Sequence, residues 1–347
     1  MDKFIKKICD DIFKSNDYGN FKNKTILITG ANGLIGGMLA DFFHYLNKEK
    51  GFDLNLVLTS KSKVDDLTRI KHLIKEKYVT YFDFDLSNLN QDIPNLPKVD
   101  YCFYSAGYAT PAKFIDRPIE TLNTNINGLY IFLESILNNN SNAHFLYISS
   151  GEVYSANDNS DLYKETDVLN IDLSNKRNFY KIGKITGELL INNFRDKGLK
   201  ASAIRTTICY GPGVLDTDNR VLSDLVRKGV NDGVIQLMDS GESTRKLLHI
   251  TDFCSMTLNI AQTCKHETYN VNGPNELSIF DIANEISNTL NVPVKRGNEL
   301  NMITKYATNS VSMSISRYEE EFGKHTFIST KEGIKDFVDW YKIILNK

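Results

Sequence analysis

Tyr180 and Lys184 stand four residues apart, about thirty positions after a Ser149-Ser150 pair. Positions i and i+4 share one helix face, so this spacing sets an ammonium beside a phenol. A neighbouring cation favours phenolate and would draw a pKa of about 10 toward the range useful to an acid–base catalyst. The same spacing arises by chance in many helices. Its meaning therefore depends on the elements that carry it.

Short β-rich runs at 24–29, 54–59, 79–84, 99–105, 143–149 and 200–206 alternate with helical stretches at 34–46, 119–137 and 180–195. Apolar strands alternating with helices predict an α/β protein with a parallel, doubly wound sheet. From Gly211 the rhythm changes to longer irregular stretches, then helices at 279–290 and 334–345. Residues 24–210 therefore read as the doubly wound domain and 211–347 as mainly a smaller C-terminal substrate domain. The segment 247–261 reads as a strand and helix returning to the main sheet, so that domain regains about 240–262.

Residues 1–23 read as an amphipathic helix carrying Phe4, Ile5, Ile8, Ile12 and Phe13, packed on the body of the protein. Lys and Asp interrupt every apolar run there, which argues against a signal peptide or a membrane span. The 347 residues are 41% hydrophobic and 24% charged, with a net charge of −2, so neither nucleic acid nor membrane is expected as a partner. Five scattered cysteines form no C-x-x-C pair, and the histidines have no ligand spacing. No disulfide framework or metal site is expected, and a reducing cytoplasm is.

The first strand runs into Gly30-Ala31-Asn32-Gly33-Leu34-Ile35-Gly36. Glycines at this spacing allow a tight turn and close approach of backbone to a pyrophosphate, with the N-terminus of the next helix aimed at it. Together with Tyr180-x-x-x-Lys184, the loop resembles the extended branch of the short-chain dehydrogenase/reductase superfamily, the nucleotide-sugar epimerases, dehydratases and decarboxylases. That resemblance covers most of the chain and implies a Rossmann-type sheet. By resemblance, Asp85-Leu86 follow the third strand as an adenine contact, Ser105-Ala106-Gly107 form a second cofactor loop, and Tyr108 and the stretch 109–128 follow it. Thr207, Gly211-Pro212 and Arg245 lie where the family meets nicotinamide and substrate, and Arg245 and Arg220 resemble its diphosphate clamps. Asp252 reads as a helix cap. The helices at 119–137 and 180–195 are the family's usual dimer surface, implying a homodimer.

Strand two ends in Thr59-Ser60-Lys61-Ser62-Lys63, with no acid before Asp65. An acid there would bind the ribose 2′-hydroxyl of NAD. A hydroxyl and a lysine, Ser60 and Lys61, suit the 2′-phosphate of NADP, with NAD as the alternative.

The resemblance implies roles for the cluster after strand five. Ser150 would hydrogen-bond the substrate oxygen that Tyr180 protonates or deprotonates. Lys184 would hold the nicotinamide ribose. Hydride would pass between nicotinamide and a sugar carbon, most often C4 of a hexose. In 4,6-dehydratases an Asp precedes the Glu of Glu-Val-Tyr, the Asp protonating the leaving hydroxyl and the Glu removing the C5 proton. Here Glu152 is kept but Gly151 replaces the Asp, which argues against dehydration. An NADPH-linked reductase of a nucleoside-diphosphate 4-keto-6-deoxyhexose, such as dTDP-4-dehydro-6-deoxyglucose for surface polysaccharide, needs only Ser150, Tyr180 and Lys184. It ranks ahead of a redox-neutral UDP-glucuronate decarboxylase, then a 4-epimerase, then a dehydratase. A non-catalytic, cofactor-sensing protein on the same fold would be expected to have lost one of those three residues, and all are present.

Overall fold

The computed structural model describes residues 2–345 apart from 89, 92, 109, 155–161, 170, 176 and 298–310. Six strands, β1 (Thr25–Thr29), β2 (Asn55–Ser60), β3 (Val79–Asp83), β4 (Tyr101–Tyr104), β5 (His144–Ile148) and β6 (Lys200–Thr206), are laid down first. The chain then leaves the sheet through β7 (Ile208–Tyr210), β8 (Ile235–Gln236) and β9 (Thr244–His249), and rejoins it with β10 (Thr268–Val271). The seven-stranded sheet runs β10-β6-β5-β4-β1-β2-β3, every pair parallel. The order reverses between β1 and β4, and a crevice opens there at the carboxyl ends of the strands.

Strand residues alternate between two buried faces. Ile26, Ile28, Leu56, Leu58, Phe103 and Ile148 pack toward one side; Leu27, Val57, Cys102, Tyr104, Phe145 and Tyr147 pack toward the other. The first face is covered by α1 (Lys3–Lys14), α2 (Leu34–Lys50) and a later helix, α8. The N-terminal helix is indeed amphipathic: Ile5, Ile8, Cys9 and Ile12 are buried, and it packs against α2 and α8.

The stretch expected as one helix at 119–137 is helical throughout, as α4 (Pro118–Asn123), a π-helical turn (Thr124–Gly128) and α5 (Leu129–Asn139), and a short helix, α3 (Pro111–Asp116), precedes it. Pro118 lacks the N–H needed to continue α3 and instead starts α4, where no donor is required. Helices α5 and α6 (Asn178–Asp196) cover the second face of the sheet.

Beyond β7 come α7 (Val221–Asp232), α8 (Ile250–Thr263), β11 (Glu276–Ser278), α9 (Ile279–Leu290), β12 (Val294–Lys295), α10 (Ser316–Phe322) and α11 (Thr330–Ile344). Leu225, Val226, Ile282, Ile286, Phe337 and Tyr341 from α7, α9 and α11 form a separate cluster, the core of the C-terminal region. The returning segment differs from expectation. Its strand, β9, pairs with β7 and β11 rather than with the main sheet; only α8 packs back on it, and the added strand is β10, beyond 262. The cap of α8 is His249, whose ring accepts from the Thr251 N–H. Asp252 instead anchors His325 (3.0 Å) and the Ile328 N–H, tying α8 to the segment before α11. Among the described residues no helix is long and apolar enough to cross a membrane, and all five cysteines are free and buried.

Candidate functional site

The glycine loop closes on the sheet at the switch point. Gly30 has φ +65°, and a Cβ there would stand 2.8 Å from Ala106 Cα. A Cβ on Gly36 would stand 2.6 Å from the Gly30 carbonyl oxygen and 2.9 Å from Ser105 Oγ. Both close approaches are to backbone or to a pinned hydroxyl, so only glycine fits. Ser105 Oγ donates to the Thr29 carbonyl (2.5 Å) and the Ala106 N–H to Thr29 Oγ1 (3.2 Å), which locks the second loop against the first. Gly33 caps α2 without any side-chain acceptor. The amides of Leu34 and Ile35 in the first turn thus lie at a positive helix end suited to a pyrophosphate.

Asn32 does something else with its side chain. Its Oδ1 accepts from Arg69 N (2.9 Å) and Thr68 N, and its Nδ2 donates to Ser62 Oγ, so it pins the segment after β2 to the glycine loop. Asp85 likewise caps its own turn through the Ser87 N–H and hydroxyl (2.9 and 2.7 Å), and Leu86 is buried. At the end of β2, Ser60 Oγ is shared between the Tyr81 phenol (2.7 Å) and the Ser62 N–H, while exposed Lys61 lies over the Tyr108 ring, 4.6 Å from its centroid. The expected cofactor residue Lys61 and the expected substrate residue Tyr108 are thereby neighbours.

Helix α6 brings Tyr180 and Lys184 to the end of β5. Lys184 is buried, donates to the Ile148 carbonyl (2.7 Å), and lies 4.8 Å over the Tyr147 ring and 5.7 Å over that of Tyr180. Gly107, on the second cofactor loop, is within 4 Å of its ammonium in the direction a Cβ would take. Burial pushes Lys184 down to about 7, against a smaller opposing pull from Glu188.

The phenol does not follow the expected direction. Burial, then the Glu152 carboxylate, push Tyr180 well above the ordinary phenol value, and hydrogen bonding from Ser150 and the charge of Arg177 only partly offset them. The cation at i+4 spends its hydrogen bond on Ile148, and the cost of burying a phenolate sets the direction.

Ser150 caps the single turn Gly151–Val153, its Oγ accepting from the Glu152 N–H (3.2 Å). Glu152 is held by Arg177, whose Nη2 contacts both carboxylate oxygens (3.0 and 3.1 Å). The Arg177 guanidinium also lies over Phe114, which stacks on Tyr180 with ring centroids 4.6 Å apart. Neither Arg177 nor Phe114 was singled out from sequence. Arg177 could have been, since it precedes Tyr180 by three and Lys184 by seven on one helical stripe.

A Cβ on Gly151 would point at the Met313 thioether, 3.0–3.1 Å away. Beneath the site, Ser149 donates to Glu188 (2.5 Å), which pairs with Arg205 (2.7 Å); Arg205 donates to Tyr154, and Tyr154 to Asn270. Tyr147 donates to Asn125 Oδ1 (2.8 Å), on the π turn. This network fixes the floor on which Ser150 and Lys184 stand.

Of the two expected clamps, Arg245 lies close enough to Glu152 and Arg177 to feel both charges, and burial lowers its pKa. Arg220 is turned away to Asp218 (2.6 Å) and the Cys209 carbonyl (3.1 Å), a self-contained ion pair that explains its position without a diphosphate. Thr207 Oγ1 is buried with no partner among the described residues, an orphaned group at the end of β6.

The family model described as NAD dependent epimerase/dehydratase matches residues 26–272, from β1 through β10. The chain belongs to this family. It is an NAD(P)-dependent enzyme of the extended short-chain dehydrogenase/reductase type, as the loop and the Tyr-x-x-x-Lys spacing implied. It is 24% identical to UDP-glucuronic acid decarboxylase 1 of Arabidopsis thaliana over 94% of this chain and 72% of that one. It is equally 24% identical to dTDP-4-dehydro-6-deoxy-D-allose reductase of a Streptomyces species, over 92% and 97%. Among solved structures, dTDP-glucose 4,6-dehydratase of Streptomyces venezuelae, which contains NAD, superposes with a TM-score of 0.77 at 18% identity over 92% of this chain and 97% of that one. The glycine cradle, the uncapped α2 N-terminus and the orphaned Thr207 hydroxyl all suit a dinucleotide of the kind this family uses.

Proposed function

We propose that this epimerase/dehydratase-family enzyme is a reductase of a nucleoside-diphosphate 4-keto-6-deoxyhexose. The observation that carries this reading is the loss of elimination machinery around an intact reduction site. Residue 151 is glycine and the space beside it is filled by Met313, so no acid stands there to expel a hydroxyl. Glu152 is neutralised by Arg177. Ser150, Tyr180 and Lys184 remain together, and reduction needs no more.

When bound, the nicotinamide supplies the hydride. The chain's part is to hold the keto oxygen between Ser150 Oγ and the Tyr180 phenol and to deliver the phenolic proton as the alkoxide forms. A high phenol pKa suits a group that must arrive protonated. Lys184, with a pKa brought near neutrality, stands beside the tyrosine as the group that would hold the nicotinamide ribose. Arg245 serves the diphosphate with its planar fork.

Lys61 and the missing strand-two acid support NADP(H) as the dinucleotide, with Lys61 swinging from Tyr108 to the 2′-phosphate. Exposed Ile119, Tyr130 and Leu189 on α4, α5 and α6 support a homodimer through those helices.

The test is consumption of NADPH on addition of dTDP-4-keto-6-deoxyglucose, followed at the nicotinamide absorbance. No consumption with any nucleoside-diphosphate 4-keto-6-deoxyhexose would refute it. The decarboxylase relatives and the pair of guanidiniums, Arg177 and Arg245, beside Glu152 favour one second reading, a decarboxylase of a sugar with a C6 carboxylate. Release of carbon dioxide from UDP-glucuronate without net cofactor use would establish it instead.

A further inference from the structure

Glu152 is the one described carboxylate whose charge bears on the Tyr180 phenol, and it is 37% exposed. A phenol that protonates a keto oxygen sits within a few ångströms of the carbons flanking that ketone. Hydrogens on those carbons are acidic, and an ionised carboxylate in that place is a competent base. It would take one such proton, the C–H electron pair would move into a carbon–carbon double bond, and the carbonyl oxygen would become an enolate held by the phenol. Such a base scrambles the stereocentres beside the ketone before hydride arrives.

Arg177 blocks this. It contacts both oxygens of Glu152 at 3.0 and 3.1 Å, and its guanidinium is fixed from behind by the Phe114 ring at 5.5 Å. Phe114 is buried and stacked on Tyr180, so the arginine is anchored to the same aromatic pair that positions the phenol. Arg177, the N-cap of α6, also precedes Tyr180 by three residues and Lys184 by seven, so the clamp stands at the head of the stripe that carries the acid and the ribose ligand. Lys181 and Arg245 also feel the Glu152 charge, so two further cations face the carboxylate besides its clamp.

We propose that Arg177 is a specificity-determining positioning residue that disarms Glu152 as a base, so that a keto sugar is reduced without exchange of the hydrogens beside its ketone. This rests on the reductase reading. It adds a residue that decides the fate of the substrate rather than its binding.

The experiment uses the full chain, oxidised cofactor and dTDP-4-keto-6-deoxyglucose in D2O, with the C3 and C5 proton signals followed by NMR against a protein-free control. Wild type is expected to show no exchange above the control. Arg177→Met is expected to exchange at least about 100-fold faster, the usual contribution of a positioned general base. Adding Glu152→Gln should return exchange to the control rate, and Arg177→Lys, which restores a cation, should suppress it. If Arg177→Met does not fold, Arg177→Gln takes its place. Exchange by wild type, or exchange at the control rate in a folded Arg177 variant, overturns the proposal. Failure of wild type to oxidise NADPH with the same ketone is a separate readout and marks failure of the reductase reading itself.

Discussion

Lys184 should destabilise the protein that depends on it. Its pKa falls from the usual 10.5 to about 7 because the ammonium is buried among Tyr147, Tyr180 and the end of β5. At about 1.4 kcal/mol per pH unit, that depression amounts to roughly 5 kcal/mol of unfavourable burial. The hydrogen bond to Ile148 is lost on replacement, and leaving that carbonyl bare costs about 1–3 kcal/mol. Lys184→Met is therefore expected to stabilise the cofactor-free protein by about 2–4 kcal/mol at pH 7 while abolishing turnover. The unfolded chain holds this proton up to pH 10.5 and the folded chain only up to about 7. The penalty is thus complete below pH 7, shrinks as pH rises, and is gone above 10.5. Urea denaturation of both proteins from pH 6 to 10.5 tests this. The variant's advantage should be largest at the acid end and turn into a deficit of about 1–3 kcal/mol at the alkaline end, where only the lost hydrogen bond to Ile148 remains. A variant less stable than wild type at pH 7, or an advantage independent of pH, would refute the reasoning.

Three other outcomes are expected. Tyr180→Phe should lower kcat by about 100-fold or more while dinucleotide affinity, measured by fluorescence titration, stays within a few-fold. Gly36→Ala forces a methyl against the Gly30 carbonyl and should weaken dinucleotide binding by about 1–3 kcal/mol, seen by calorimetry; unchanged affinity would mean the loop does not hold the pyrophosphate. Glu188→Gln strips a buried partner from Arg205 and should cost about 3–5 kcal/mol of stability by chemical denaturation, with a loss of under 1 kcal/mol counting against the network.

The sheet was legible because five of its first six strands are short apolar runs buried on both faces, with β3 a half-exposed edge, and because the glycine loop marks where the first one ends. β10 was not. Thr268–Val271 is a four-residue, half-polar run, and only its pairing with Ala203–Thr206 makes it a strand. The break at Pro118 was readable from proline's missing donor; the π turn at Thr124–Gly128 was not, since no residue type encodes it. At the site, spacing correctly put Tyr180 and Lys184 on one helix, but spacing carries no information about burial, and burial set the phenol's pKa. The Arg177–Glu152 contact joins residues 25 apart across two elements, a distance over which local pattern has no reach. Arg220 is the local case: its partner, Asp218, is only two residues away.

The position of β10 bears on how this protein is made. The edge of β6 receives its neighbour only after the chain has passed through β7, β8, β9 and α8, some sixty residues later. Until Val271 has left the ribosome, β6 offers a bare row of N–H and C=O groups, and Leu146, Ile148 and Ile204 lack the cover of α8. A growing chain that already holds its glycine loop and Tyr180 is therefore an unfinished sheet with a sticky edge. A fragment ending at residue 210 would remain in that state permanently. The chain that builds the C-terminal region thus also supplies the last strand of the sheet that carries the glycine loop.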